Sequence, residues 1–464
     1  MTGKRKRKLA MPDTLIIVAS VVLLVAILSW IIPSGTYDYQ EMNINGRIRN
    51  VAIDGTYHTI DKSEVTTTGF LGFFSVLYRG CVEAADVIFM ILCCCGTFGV
   101  VVKTGAFHAG IGTILKKLKG KEILLVPIIM LIFGLGGSVF GMASEFYGFY
   151  PLIVGLGVAL GYDAMFGFAI IAVGEFVGFM GATLNPYSVG IAQTISGVEL
   201  YSGTGYRTIC FVIFMVISII YVMMYGRKIK KNPGASVVFG EKNIHAFDRD
   251  ELNEYSFTLK DGLVLLDVLV VLVVLMFGLI KWGWDFPQLC GLFLLMSMIA
   301  AAICKWSPNK WCSEFIDSAK TAMWGCILTG IAKAITVVMQ DAQIMDTVIY
   351  GLSNVLKNAP HAVSAQVMLV VQTLINFFIP SATGQASATM PIMAQLADII
   401  GVSRQTAVLA FQFGDGLSNI FWPTADIVII CGLGGISLQK WYKWFTPLFL
   451  ILFVTQAILL GIAT

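Results

Sequence analysis

The chain reads as an all-α polytopic membrane protein, and three observations predict it. Of its 464 residues, 57% are hydrophobic and only 13% charged, where a soluble domain carries about 45–50% apolar and about 25% charged residues. The apolar residues arrive in runs near the roughly 20 residues that cross a bilayer as helix. Lys and Arg gather in separate clusters between those runs, as cytoplasmic loops require. A transmembrane β-barrel would alternate polar and apolar residues instead, and no such alternation runs through the sequence.

Composition excludes further classes. A net charge of +3 gives no basic surface for nucleic acid. The ten cysteines sit mostly inside apolar runs, as CCC does at 93–95, with no CxxC pair or Cys/His metal spacing, and read as small buried side chains. His58, His108, His245 and His361 are scattered, so neither a haem nor a zinc site is expected.

The basic clusters at 4–8, 116–121, 227–231, 305–310 and 440–443 set a topology that starts in the cytoplasm. The run after KRKRK is too long for a removable signal and lacks a small-residue cleavage site, so a first helix at about 14–32 runs outward. Residues 33–70, polar and of both charge signs, form an external loop, and a helix at about 83–103 returns. Between Ile123 and Tyr206 there is no Lys or Arg. Short apolar runs at 123–135 and 149–160 flank GLGGSVFGMASE (134–145), and a re-entrant hairpin over about 123–160 solves the crossing count. A broken helix (about 164–198, interrupted at GATLNPYS, 181–188) and a helix at about 207–226 complete a first half, 1–228.

Residues 229–261 form a polar cytoplasmic linker. The second half, 262–464, has helices near 262–281, 287–304 and 319–340. An external-side hairpin follows at about 366–400, around SATGQASATMP (381–391). A broken helix at about 404–435 and a final helix at about 441–462 bring the C-terminus outside. The total is about nine transmembrane helices, two re-entrant hairpins and two broken helices in the cytoplasmic (inner) membrane.

The halves share a spacing. Pro151 to Gly161 and Pro391 to Gly401 are each ten residues, and Gly161 to Gly174 and Gly401 to Gly414 are each thirteen. GMAS (141–144) matches GQAS (384–387). The charge pattern runs the copies in opposite senses, and an inverted repeat with broken helices is the mark of a secondary transporter whose site lies near the midplane.

Irregular backbone is tolerated at membrane depth only where protein or a water-filled cavity covers it. Four such patches, 137–145, 181–188, 381–389 and 415–424, are rich in polar residues. Half-helix N-termini there can face anions, and freed oxygens can hold Na⁺. Close helix packing explains Gly155 and Gly157, but not Gln385, Asn419 or Asn185–Pro186. Glu145, Glu175, Asp415 and Asp426 lie in or beside apolar segments with no Lys or Arg at helical spacing. Charges at such depth are costly and mark ion or substrate pathways. Glu175 and Asp415 each follow a matched glycine. Asp163 and Asp398 lie near expected helix ends and read as capping or interfacial residues, and Lys333 is placed to pair with an acid or to meet a carboxylate.

PDTLIIVASVVLLVAILSWIIPSGTY (12–37), LNPYSVGIAQTISGVELYSGTGYR (184–207), SATGQASATMPIMAQLADIIGVSRQTAVLAFQFGDGLSN (381–419) and the closing WYKWFTPL resemble the YfcC-type carriers of the DcuC-like family, named for anaerobic C4-dicarboxylate uptake. The resemblance implies a secondary transporter with hairpin tips and helix breaks around a central site. The residues it implies are Ser138, Ser144 and Glu145; Asn185 and Pro186; Ser381, Thr383, Gly384, Gln385 and Ser387; and Asp415, Ser418 and Asn419, with Thr424 just beyond. Glu175 joins them by its repeat position.

The implied coupling ion is Na⁺, near Asn185, Asp415 and Asn419, or H⁺. The implied partners are a small organic ion or amino acid, the bilayer and a second copy in a homodimer. The Ser-Asn-Thr signatures of related sodium/dicarboxylate carriers are absent here, and only SN at 418–419 is left. The YfcC-type branch is labelled a basic amino acid antiporter, and the surplus of buried acids favours a cationic or zwitterionic substrate. An H⁺- or Na⁺-coupled C4-dicarboxylate carrier is the alternative. YD at 162–163 with QFGD at 412–415 is also similar to the paired aspartates of intramembrane proteases, although Gln412 replaces a glycine of that pattern. No enzyme activity is otherwise expected.

Overall fold

The computed structural model describes residues 14–44, 47–118, 122–241, 245, 257–357 and 363–464. The basic tract at 4–8, Lys119, Lys121, His361 and the linker residues 242–244 and 246–256 lie outside them.

Helix α1 (Thr14–Ile31) leads into strands β1 (Ser34–Thr36), β2 (Tyr39–Ile44), β3 (Arg47–Ala52) and β4 (His58–Ile60). Next come α2 (Phe70–Glu83), α3 (Ala85–Lys103), α4 (Ala106–Leu118), α5 (Leu125–Leu135), α6 (Phe149–Ala159), α7 (Ala164–Met180), α8 (Val189–Ile195) and α9 (Thr204–Lys231). After the linker follow α10 (Leu259–Lys281), α11 (Phe286–Ile303), α12 (Pro308–Lys320), α13 (Met323–Asp341), α14 (Met345–Lys357), α15 (Ser364–Phe378), α16 (Ala382–Ile399), α17 (Arg404–Ser418), α18 (Asp426–Gly434) and α19 (Leu438–Ile462).

Eight helices among the described residues are long and apolar enough to cross a membrane. They are α1, α3, the stretch 122–140 that holds α5, α9, α10, α11, α13 and α19. Rows of exposed apolar side chains, such as Leu23, Leu24 and Ile27 on α1 and Leu450, Val454 and Ile458 on α19, suit a lipid surround, since no water-facing surface would tolerate such rows. The long, nearly pure apolar runs make these helices legible. The strong signal is length and not amphipathicity.

Three features depart from the expected outline. The helix expected from 83 begins at Phe70, as α2, with a break at Ala84, and α12 precedes α13 in the same way. These four segments pack in pairs, α2 along α13 and α3 along α12. Their backbones touch: a Cβ on Gly80 would lie 2.3 Å from the Gly330 carbonyl, and one on Gly99 2.0 Å from Ser318 Cβ. Small residues at a lipid-embedded crossing gain contact area in this way.

The polar loop 33–70 is also more ordered than a loop. β1 pairs antiparallel with β4, and β2 with β3. The pair is fastened to α14: Asp346 accepts from the Tyr37 amide (3.0 Å), the Thr36 hydroxyl (3.1 Å) and the Tyr39 hydroxyl (2.8 Å). Burial, with the Asp346 carboxylate beside it, pushes the Tyr39 hydroxyl well up, so it stays a donor. β3 rests on α16.

Third, SATGQASATMP is mostly helix. Only 379–381 breaks the helical path, and Ser381 caps α16 by accepting from the Gly384 amide. A Ser N-cap is worth about 1 kcal/mol, and the Gly, Ala and Ser that follow are compatible with helix once that cap is set.

Candidate functional site at the helix breaks

Two chain segments begin and end at the same end of the bundle. Glu122, at the start of the α5–α6 stretch, meets Lys230 (3.4 Å), and Tyr162, at its finish, lies under the same ammonium (5.0 Å). The α15–α16 stretch behaves alike at the opposite end of α19: Gln366 donates to Ala457, and Thr406, just beyond α16, donates to Ala463. α5 and α6 both pack on α7, and α15 and α16 both pack on α17. Gly174 faces Met130 of α5, and Gly414 faces Gln372 of α15, so the two matched glycines receive corresponding arms.

The tip 136–146 is irregular. Gly141 takes a left-handed conformation (φ +68°) that a side chain would strain, and its Cβ would strike the Asn185 side chain. Ser138 is fully buried and stitches this tip to the break between α7 and α8. Its hydroxyl donates to the Gly181 carbonyl (3.1 Å), and its carbonyl accepts from the Thr183 amide (2.9 Å). Asn185 is committed to the same seam. Its Oδ1 accepts from the Tyr187 and Ser188 amides (2.9 and 3.1 Å), and its Nδ2 donates to the Gly137 carbonyl (3.2 Å). Pro186, half-buried, follows it in the loop.

The other tip meets the first break. Thr383 donates to the Tyr187 carbonyl (3.1 Å), and Gln412 of α17 donates to the Met180 and Ala182 carbonyls (2.9 and 3.0 Å). Ser387 bonds back to Thr383, and Ser418 to the Gly414 carbonyl. Thr424 donates to Phe377 (2.7 Å) across the α15 end. These hydroxyls support helix ends. Gly384 leaves room for the Ser381 cap, while Ser381 itself is exposed. Gln385 is buried and donates to the Gln372 side chain (2.7 Å) of α15.

The acids converge. Glu175 accepts from the Tyr150 hydroxyl, and Asp426 from the Tyr147 hydroxyl (2.8 Å each), so neighbouring turns of one chain segment serve both. Asp415 accepts from Asn376 Nδ2 (2.8 Å), and the Asn419 carboxamide faces the same carboxylate. Asp426 lies within electrostatic reach of both Glu175 and Asp415, and Glu145 within reach of Glu175. Glu145, beside the half-buried Ser144, turns back to the Ala143 amide (3.0 Å). Every one of the four acids is buried or capped by tyrosine or amide, and none pairs with a described Lys or Arg. Lys333 makes no ion pair with a described acid.

One group of atoms has no partner in the fold. Asp415 Oδ2, Asn419 Oδ1, Asn376 Oδ1 and Gln385 Oε1 are buried acceptors without a donor. Asn376 and Asn419, which carry two of them, face the Asp415 carboxylate that carries a third. An all-acceptor cluster suits a hard cation or an ammonium group, because either supplies the missing positive partner.

Composition-led reading missed Asn376, Gln372, Tyr147, Tyr150 and Arg207. The first two look like ordinary polar residues in the apolar run of α15, but their polarity there was itself the available signal. A cavity of about 490 Å³ lies elsewhere, lined by Tyr162, Asp163, Lys230, Ser236 and Glu241 at the linker end, and no expected site residue lines it. The protease reading fails on geometry. Asp163 caps the N-terminus of α7 (2.7 Å to the Phe166 amide), whereas the Asp415 segment meets α7 at Met180. The 17 residues of α7 hold them about 25 Å apart at 1.5 Å per residue.

Residues 11–464 match the DcuC family, described as C4-dicarboxylate anaerobic carrier. The chain belongs to the DcuC family. Among its DcuC-type relatives is the Escherichia coli K12 protein named "Putative basic amino acid antiporter YfcC", 32% identical over 98% of this chain and 97% of that one. A Haemophilus influenzae protein is 27% identical over 99% and 98%. Among solved structures, the Alcanivorax borkumensis YdaH transporter covers 97% of the chain and 98% of its own (14% identity, TM-score 0.44), and Neisseria gonorrhoeae MtrF, an antimetabolite efflux pump, 98% and 95% (16% identity, TM-score 0.45). Family membership, with eight apolar helices of membrane-crossing length among the described residues, makes the chain an integral membrane transporter.

Proposed function

We propose that the chain is a secondary active transporter that exchanges a basic amino acid, of the arginine or ornithine type, by alternating access across the cytoplasmic membrane. The observation that carries this is the cluster of unpaired acceptors about Asp415, beside the buried Glu145 and Glu175 and the half-buried Asp426, none of them ion-paired to a described base. A substrate ammonium or guanidinium supplies the missing donors. Corresponding arms packed on α7 and α17, with matched glycines at the crossings, support an inverted repeat of residues 1–228 and 262–464, whose re-entrant hairpin tips and helix breaks enclose the site. Na⁺ or H⁺ at Asp415 and Asn419 is the coupling ion when the substrate is absent. Asn185 is a weaker candidate for Na⁺, because its side chain is already saturated by the backbone.

The family description favours a second reading, a C4-dicarboxylate carrier, in which a bound cation at Asp415 reverses the local sign. Counterflow in proteoliposomes decides between them. Internal arginine should drive uptake of labelled arginine, ornithine or lysine, and succinate or fumarate should not compete. Uptake of succinate that arginine leaves untouched would replace the first reading with the second.

A further inference from the structure

Among the described residues, Arg207 is the only Lys or Arg that is fully buried, at 1% exposure. It stands in the first turn of α9, packed inside the protein. No carboxylate of a described residue lies within ion-pair distance, and its Nε has no partner among them. Its Nη2 donates to the Thr183 carbonyl (3.3 Å) and the Thr204 hydroxyl (3.2 Å). Thr183 is in the break that follows the C-terminus of α7, the same loop that Ser138 and Gln412 hold from other sides.

A buried charge without a counter-charge is costly, so something in the fold must balance this one. The C-terminal end of a helix carries partial negative charge on its unpaired carbonyls, and α7 ends three residues before Thr183. Unwound carbonyls and half-helix C-termini are what hold the cation in broken-helix carriers. Guanidinium is the more weakly hydrated of the two basic side chains and the better suited to burial. The second break differs. Its carbonyls at 414–419 accept from Asn376, Ser418, Phe421, Trp422 and Ile427, and no Lys or Arg among the described residues donates to them.

We infer that Arg207 is a built-in cation for the α7–α8 break: its tethered guanidinium takes the place of a bound metal ion there, and cation binding is confined to the Asp415 cluster. This rests on the reading of the break as half of the transport site. Arg207 is thus a positioning residue that keeps the first break closed on Ser138 and Asn185, and the two halves of the carrier are unequal in their need for an ion.

Thermal melting of the purified full chain in choline chloride tests this without a substrate, so it fails or holds separately from the counterflow screen. Arg207→Ala should melt lower than wild type. About 50 mM guanidinium or methylguanidinium, far below denaturing concentrations, should restore at least half of the loss, and Na⁺ should restore part of it. Wild type should show neither response. Arg207→Lys, which keeps the charge, should melt close to wild type, and Arg207→Gln should not. If Arg207→Ala cannot be purified, the Lys and Gln variants decide by themselves. Equal destabilisation of Lys and Gln, or an Ala variant deaf to every small cation, would overturn the assignment, because it would make the side chain's shape rather than its charge the requirement.

Discussion

Asp415 is held by amides rather than by a base, and that decides what its substitution does. Asn376 already donates to one oxygen, while the other has no donor. Asp415→Asn keeps the shape and adds a donor where an acceptor stood. A charge at this depth costs about 2.5–3.5 kcal/mol on insertion scales, so the amide removes a cost and should leave the melting temperature equal or higher. Transport, which needs the acceptor, should fall at least tenfold, equivalent to about 1.4 kcal/mol of lost binding. Full counterflow by the Asn variant would remove Asp415 from the site. Tyr147→Phe is the milder companion. It strips Asp426 of its hydroxyl donor at a cost of about 1 kcal/mol, read as a small drop in melting temperature with a larger loss of uptake.

At the scale of elements, the arms of the bundle are set by glycine contacts. A Cβ on Gly178 would lie 2.0 Å from the Gly134 carbonyl, so α5 and α7 touch backbone to backbone. Gly178→Ala should therefore lower stability by about 1–3 kcal/mol through overpacking. Gly205→Ala, in open space at the start of α9, should be neutral or slightly stabilising, since Ala is the better helix former by about 1 kcal/mol. Comparable melting shifts in the two would refute the close crossing. The same elements explain what the sequence made legible. Apolar run length, glycine spacing and proline positions all act locally, so most membrane-length helices, the break at 181–188, a second within the patch 415–424, and the acids could be read directly, while the shorter α2, α4, α12 and α14 could not. The side-chain partners could not. Asn376 and Asp415 are 39 residues apart, and Tyr147 and Asp426 are 279 apart, pairings that depend on how the arms fold back. The helical start of α16 was hidden for a different reason: Gly and Ser lower helix propensity, and only the Ser381 cap and packing against α15 and α17 override them.

For the whole molecule, the remaining question is which way it faces. One end carries the β-hairpins, with Asp346 as their anchor, and the other carries the linker, with Lys230 bound to Glu122 and Lys440 bound to Glu241 and the Val237 carbonyl. Basic residues near helix ends are retained in the cytoplasm, and Lys228, Lys230, Lys231, Lys440 and Lys443 all belong to the linker end. That end should therefore be cytoplasmic and the β-hairpins external. Single cysteines at Gly55 and Gly240 test this, because both glycines stand in open space at turns. Cys312, the exposed native thiol, must first be replaced. Both positions have positive φ, so the substitutions cost some local strain but leave the membrane helices alone. In intact cells a membrane-impermeant maleimide should label the Gly55→Cys variant and not the Gly240→Cys variant, with the second labelled only after permeabilisation. The reverse pattern would turn the molecule over. The ends of the α15–α16 stretch would then face the cytoplasm, and the topology inferred from the basic clusters would be reversed with it.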